Sequence, residues 1–306
     1  MPDIGLTIYF YNVISENNNL KNRMINSFAT VSTLHERFAE VQRSRRALLA
    51  TNFYNFETLR GVVLAAKAAR QPLILQLTQA SIDYMGLKQA VSLARTEAAE
   101  QGVEAWLHLD HGNSADLAFR CLDAGFDSVM IDASEQAFAQ NIKITRQVVE
   151  TAQRCGVWVE AELGYVAKLG QSDEKIGFTD PEEARIFVEE TGVNALAVAI
   201  GTVHGFYKGE PKLDLERLSA IQHLVFVPLV LHGGSGIPDA MLQAVIQRGI
   251  CKVNVATEIK NIFIKILQTE LQNTENIDLR TLFPPAIQAV RDLVKQKIDI
   301  VSNIVH

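Results

Sequence analysis

The sequence predicts an α/β protein folded as one (β/α)₈ barrel of the TIM type. Three observations predict it. From Ala47 onward, short β-branched or apolar runs alternate with longer segments of helical period. There are eight such runs, the number a closed barrel needs. The G-x-G-x-x-G turn that a doubly wound sheet carries after its first strand is missing.

The elements follow in chain order. ALLATNFY (47–54) is the first strand, and FETLRGVVLAAKAAR behind it carries apolar residues three and four apart, as a helix with one buried face requires. PLILQLT (72–78) leads to GLKQAVSLARTEAAEQ, AWLHLD (105–110) to SADLAFRCLDA, and SVMID (128–132) to NIKITRQVVETAQRC. Several of these helices open on Asp, Asn or Ser and have a glycine close behind their end, which are start and stop signals. VWVEAEL (157–163) is the fifth strand, and in DPEEARIFVEETG the pair Asp180 and Pro181 joins a cap to a helix-starting proline. ALAVAIG (195–201), PLVLHGG (228–234) and KVNVAT (252–257) complete the barrel, and AIQAVRDLVKQKIDIVSNIV closes it as an amphipathic helix.

The chain has 306 residues, of which 48% are hydrophobic and 21% charged, a globular composition. No linker or low-complexity break follows residue 40 or so, which predicts a single barrel domain over 28–306 behind a short extension, 1–27. That extension, polar around ENNNLKN, lacks signal-peptide features and reads as an accessory strap or an over-called start ahead of Met24. No apolar run reaches the length of about 18 residues that a membrane span needs. A net charge of -6 argues against nucleic acid as partner. Cys121, Cys155 and Cys251 form no C-x-x-C pair, which points to a reducing cytoplasm rather than a disulfide framework.

Active sites of such barrels form at the C-terminal strand ends, and chemistry-bearing residues gather there. The third run ends in Asp110 and His111, the fourth in Asp132, and the fifth in Glu160 and Glu162, which share one strand face. The sixth leads into GTVHG with His204, and the seventh into LHGGSG with His232. Three imidazoles on one rim suit zinc, which commonly keeps three protein ligands and one open position in catalytic sites. His108, inside the third run, is read as a packing residue or a hydrogen-bond partner of a ligand. Gly205, Gly233 and Gly234 allow backbone N–H groups to approach an anion, Ser235 and Thr257 add hydroxyls, and Asn254 can bond a substrate hydroxyl.

Taken together, HLDHG, SVMIDAS, VEAELG, LAVAIGTVHGFYKGEPKLD, LVLHGGSGIP and CKVNVATEIKNIF resemble the zinc-dependent class II ketose-bisphosphate aldolases, with the tagatose-bisphosphate enzymes the nearest subgroup. The resemblance implies reversible cleavage of tagatose or fructose 1,6-bisphosphate into dihydroxyacetone phosphate and glyceraldehyde 3-phosphate. It implies zinc on His111, His204 and His232, and Asp110 as the acid/base residue. Asp132 and Glu162 match a second or alternative metal site. Gly205, Gly233 to Ser235, and Asn254, Val255, Ala256 and Thr257 match the segments that hold dihydroxyacetone phosphate. It further implies a sodium or potassium ion near the phosphate, and a homodimer or homotetramer.

Two stretches depart from the family pattern. The loop YVAKLGQSDEKIGFTDP lacks the G-G-x-E-D of many relatives, leaving Glu174, beside Asp173, as the nearest substitute for its proton-exchanging carboxylate. Glu135, Gln136 and Ala137 stand where relatives carry His-Leu-Pro. Two alternatives therefore accompany the aldolase reading: a catalytically weak homologue serving as a structural or regulatory subunit, and an aldolase for another sugar phosphate.

Overall fold

The computed structural model describes residues 33–166, 177–207, 209–272 and 274–302. The chain separates into two units, Met1–Thr33 and Leu34–His306, and all the described secondary structure belongs to the second. The expected extension, 1–27, lies outside the described residues.

Eight parallel strands close into a barrel in chain order: β1 (Leu48–Asn52), β2 (Leu73–Leu77), β3 (Ala105–Gly112), β4 (Ser128–Ile131), β5 (Trp158–Leu163), β6 (Ala195–Val198), β7 (Leu229–Leu231) and β8 (Ile250–Val255). The described helices are α1 (Leu34–Ser44), α2 (Phe56–Ala69), α3 (Gln79–Met85), α4 (Leu87–Gln101), α5 (Ala115–Asp123), α6 (Phe138–Cys155), α7 (Pro181–Thr191), α8 (Leu215–Leu224), α9 (Asp239–Gln247), α10 (Thr257–Gln272), α11 (Leu279–Leu282) and α12 (Pro284–Val301). Each predicted run contains a strand, although β8 starts two residues earlier than its run and β3 ends two residues later. The cap signals act as expected. Asp180 accepts from the Glu182 and Glu183 N–H groups at the start of α7, with Pro181 in its first turn, and Ser114 accepts from Leu117 N at the start of α5. No helix among the described residues is long and apolar enough to cross a membrane.

The two-residue period of a strand sorts the barrel into an outer and an inner core. Leu73, Leu75 and Leu77 of β2, like Leu107 and Leu109 of β3, pack outward with the helices. Their neighbours turn inward, and from the barrel's floor upward they change character. Leu48, Ala50, Ile74, Trp106 and Cys251 form an apolar floor with Leu34, Phe38 and Val41 of α1, while Phe38 stacks on Trp158 at 4.9 Å. The next inward positions are Gln76, His108, Ser128, Glu160 and Lys252, all buried. Above them stand Asn52, Asp110, Glu162, His232 and Asn254. Most barrels of this class fill their interior with branched apolar side chains; here the upper interior is polar, and that polarity supports the mouth.

Candidate active site

Asp110 and His111 are adjacent on β3, so an ideal strand would send one inward and the other toward the helices. The backbone removes that conflict. His111 adopts a left-handed conformation (φ 49°), and the register between β3 and β4 shifts between Leu109 and Gly112. A bulge of this kind re-aims a side chain beside a site, and both residues line one cavity of about 500 Å³.

His204 and His232 come from the turns after β6 and β7. These turns are held together: Tyr207 Oη donates to the Gly233 carbonyl at 3.0 Å and accepts from Val203 N–H at 3.2 Å. Gly233 (φ 69°) allows the contact, since a Cβ there would sit 2.4 Å from the Val203 carbonyl oxygen. As a result the His111 ring centroid lies 4.9 Å from that of His204 and 4.6 Å from that of His232. One ligand atom from each ring lies within 4.8 Å of the others, so the three form a group that could hold a metal ion. His111 Nε2 and His232 Nδ1 face each other at 2.9 Å.

His111, Asp132 and Glu162 form a second such group. Asp132 Oδ2 lies 2.8 Å from His111 Nδ1, and Ser134 donates its N–H and hydroxyl to Oδ1. Burial works against charge on Asp132, but the His111 contact and the Ser134 bonds outweigh it and hold the carboxyl well below the usual range. Glu162 differs, because burial dominates and pushes it up to about 8. Its Oε2 is buried without a hydrogen-bond partner. Burial alone would also depress His111, yet Asp110, Asp132 and Glu162 together raise it to about 9. His204 is lowered to about 3, by burial first and by the neighbouring imidazoles second.

Asp110 is held in its ionised form. Burial opposes its charge, but His111, His232, the Asn52 amide and Lys252 more than compensate, so its carboxyl lies below the ordinary value. Asn52 Nδ2 donates to Oδ2 at 2.8 Å, and Asn254 Nδ2 reaches Oδ1 at 3.4 Å. Beyond Asp110 the cavity is lined by Tyr54, Thr78, Ser81, Tyr84 and Lys260, on the side of β1 and β2.

The glycine turn closes the other side. Gly205, Gly233, Ser235, Asn254, Ala256 and Thr257 line the same cavity. Ser235 Oγ gathers the Ala256 and Thr257 N–H groups at 3.3 and 3.2 Å, at the start of α10. Gly234 and Val255 are not among the lining residues: the Gly234 N–H is bonded to the Asn254 carbonyl at 3.0 Å, and Val255 packs into the outer core. A second cavity of about 670 Å³ shares His111 and His204 and is bounded by Asp132, Glu135 and Gln136. Glu174 and Asp173 lie outside the described residues.

Asn52, Glu160 and Lys252 were not assigned roles from the sequence. One signal was available, because Lys252 and Asn254 alternate with valines in KVNV, a polar face inside a strand that is otherwise apolar. Glu160 is read from the sequence as sharing a face with Glu162, and the structure places it under His232, its Oε1 3.0 Å from His232 Nε2.

Comparisons with known proteins place the barrel in a family. Residues 32–304 match the family model of class-II fructose-bisphosphate aldolase. A fructose-bisphosphate aldolase of Geobacillus stearothermophilus is 40% identical over 270 residues, covering 86% of this chain and 93% of its own. Among solved structures, the YdjI aldolase of Escherichia coli K12 aligns with a TM-score of 0.80 at 31% identity, over 88% of this chain and 97% of its own. A putative fructose-1,6-bisphosphate aldolase from Coccidioides immitis aligns with a TM-score of 0.79 at 28% identity, over 90% and 96%. With the barrel closed, three imidazoles gathered beside a carboxylate and a match along nearly the whole barrel, the chain belongs to the class-II fructose-bisphosphate aldolase family.

Proposed function

We propose that the protein is a zinc-dependent ketose-bisphosphate aldolase that reversibly cleaves tagatose or fructose 1,6-bisphosphate into dihydroxyacetone phosphate and glyceraldehyde 3-phosphate. The observation that carries this reading is the meeting of His111, His204 and His232 beside Asp110 on one cavity. The donor set fits the ion, because three imidazoles are a nitrogen set that catalytic zinc takes with one position left for substrate. The partnerless buried Glu162 Oε2 suits a nearby cation as well, with Asp132 and Glu162 as alternative ligands. When bound, zinc supplies a Lewis acid for the negative charge that develops on the substrate oxygens.

The chain's own groups divide the remaining work. Asp110 removes the proton of the C4 hydroxyl while the C3–C4 bond breaks and its electron pair passes into the ketone half. In the synthetic direction it returns that proton. Asn52 and Asn254 hold its oxygens, so the acceptor is oriented before substrate arrives. Gly205, Gly233, Ser235, Asn254, Ala256 and Thr257 hold the phosphate of the ketone half, with a sodium or potassium ion beside it. Glu174 is the proposed carboxylate for proton exchange at C3. The catalytic domain is read as 28–306, in a homodimer or homotetramer of the cytoplasm.

The catalytically weak alternative is disfavoured, since the ligands and the base are all present. Purified protein is expected to contain one zinc per chain and to release triose phosphate from tagatose or fructose 1,6-bisphosphate, with loss of turnover in chelator. Zinc-loaded protein that released none from these or related ketose bisphosphates would sink the proposal.

A further inference from the structure

Beneath the histidine cluster runs a series of buried polar contacts that the cleavage step does not use. Glu160 Oε1 lies 3.0 Å from His232 Nε2, and Glu160 Oε2 accepts from the Lys252 ammonium at 2.7 Å. The same ammonium lies 3.3 Å from His108 Nε2, and His108 Nδ1 lies 2.7 Å from Ser128 Oγ. His232, Glu160, Lys252, His108 and Ser128 are each at most 4% exposed.

An ion pair is a costly way to fill a barrel, since apolar residues of similar volume stabilise as well or better. What the pair does impose is a set of proton positions. An ammonium only donates, so Glu160 Oε2 and His108 Nε2 both accept from it. His108 then carries its proton on Nδ1 and donates to Ser128. Glu160, ionised against Lys252, has no proton to give. The hydrogen in its contact with His232 therefore belongs to His232 Nε2, and the lone pair is left on Nδ1. That is the atom facing His111 Nε2 at 2.9 Å. The Asn254 amide nitrogen sits 3.2 and 3.4 Å from the two ring nitrogens of His232, so it lies side-on to the ring and does not select between them. His111 is held in the opposite sense, with Asp132 on its Nδ1.

We propose that the Lys252–Glu160 pair is a tautomer lock, a positioning device that fixes His232 with Nε2–H on Glu160 and a bare Nδ1 turned to the metal site. This inference rests on the zinc reading above. Glu160→Gln keeps the size of the side chain, but its amide can donate to Nε2 and so favours the Nδ1–H tautomer, which points a proton at the ion. In the full chain, chelator competition is expected to show zinc affinity lowered about ten- to hundredfold, the usual cost of losing such a partner. Long-range ¹⁵N–¹H spectra of the zinc-stripped protein are expected to show the His232 ring moving from Nε2–H to Nδ1–H.

Glu160→Gln leaves Lys252 buried and unpaired, so Glu160→Leu/Lys252→Met, in which nothing can accept from His232 Nε2, is measured beside it. Removing both charges spares the fold, and the loss of zinc affinity should remain. A folded double variant that kept the Nε2–H ring and bound zinc as tightly as the parent would overturn the proposal. A lower unfolding midpoint with an unchanged tautomer would overturn it equally, because that is what a merely structural pair would give. If the parent itself takes up no zinc, the proposed function fails, while the ring spectra still decide the lock.

Discussion

Asp110 and His232 line one cavity, yet they are expected to fail differently when removed. Asp110→Ala should retain zinc and lose C–C cleavage, by a factor of roughly 10² or more if it acts as general base. His232→Ala should lose zinc. Metal analysis of both variants beside single-turnover cleavage checks the division, and equal zinc loss in the two would show that it is wrong. At this scale the sequence was legible wherever the chemistry is local. Asp-His before a glycine, and histidines just past strand ends, are visible in a linear reading. Asn52 and Lys252 were not, because Asn52 meets Asp110 across 58 residues and Lys252 meets Glu160 across 92. A lone amide or lysine in a strand carries no mark of such a partner.

Among the elements, the turns after β6 and β7 matter most, because two of the three imidazoles stand on them. Their contact depends on Gly233. Gly233→Ala forces an L side chain into left-handed backbone and also drives a Cβ against the Val203 carbonyl. Gly102 provides the control, with φ 65° and nothing within 4 Å of its virtual Cβ. Gly102→Ala should therefore cost about 1 kcal/mol in urea unfolding, the penalty of backbone conformation alone. Gly233→Ala should cost more and also weaken zinc uptake. Equal losses in the two variants, with zinc unaffected, would mean that the turns are not coupled through this contact. The strand order was legible from alternation, and α7 from its Asp-Pro start. The helix α1 was missed, although Leu34, Phe38 and Val41 recur at i, i+4 and i+7, because eleven residues of mixed polarity give a weak signal until the barrel floor they cover is known.

For the molecule as a whole, the polar upper interior should make stability depend on pH. His108 is fully buried and lowered to about 3, by burial first and by the Lys252 charge second. Its unfolded-state value is about 6.5. The folded chain therefore holds this ring neutral where the unfolded chain would protonate it. The stability so conferred is complete above about 6.5 and is lost as pH falls from there toward 3, by up to about 1.4 kcal/mol per pH unit. Urea unfolding between about pH 7 and pH 5 should show this slope in the parent and a flatter one in His108→Gln. Identical slopes would show that the ring does not titrate as described. The eightfold architecture was readable because alternation is a property of the entire chain. The layering of its interior was not, since which polar residues share a level depends on strand register, which no single run displays.

The left-handed residue at His111 has a consequence for how the reaction withstands motion. With the proposed proton acceptor and a proposed metal ligand on consecutive residues of one strand, their relative placement is yoked by a single covalent link. The span between Asp110 and His111 is thus bounded by bonded geometry, whatever the packing of the loops around them.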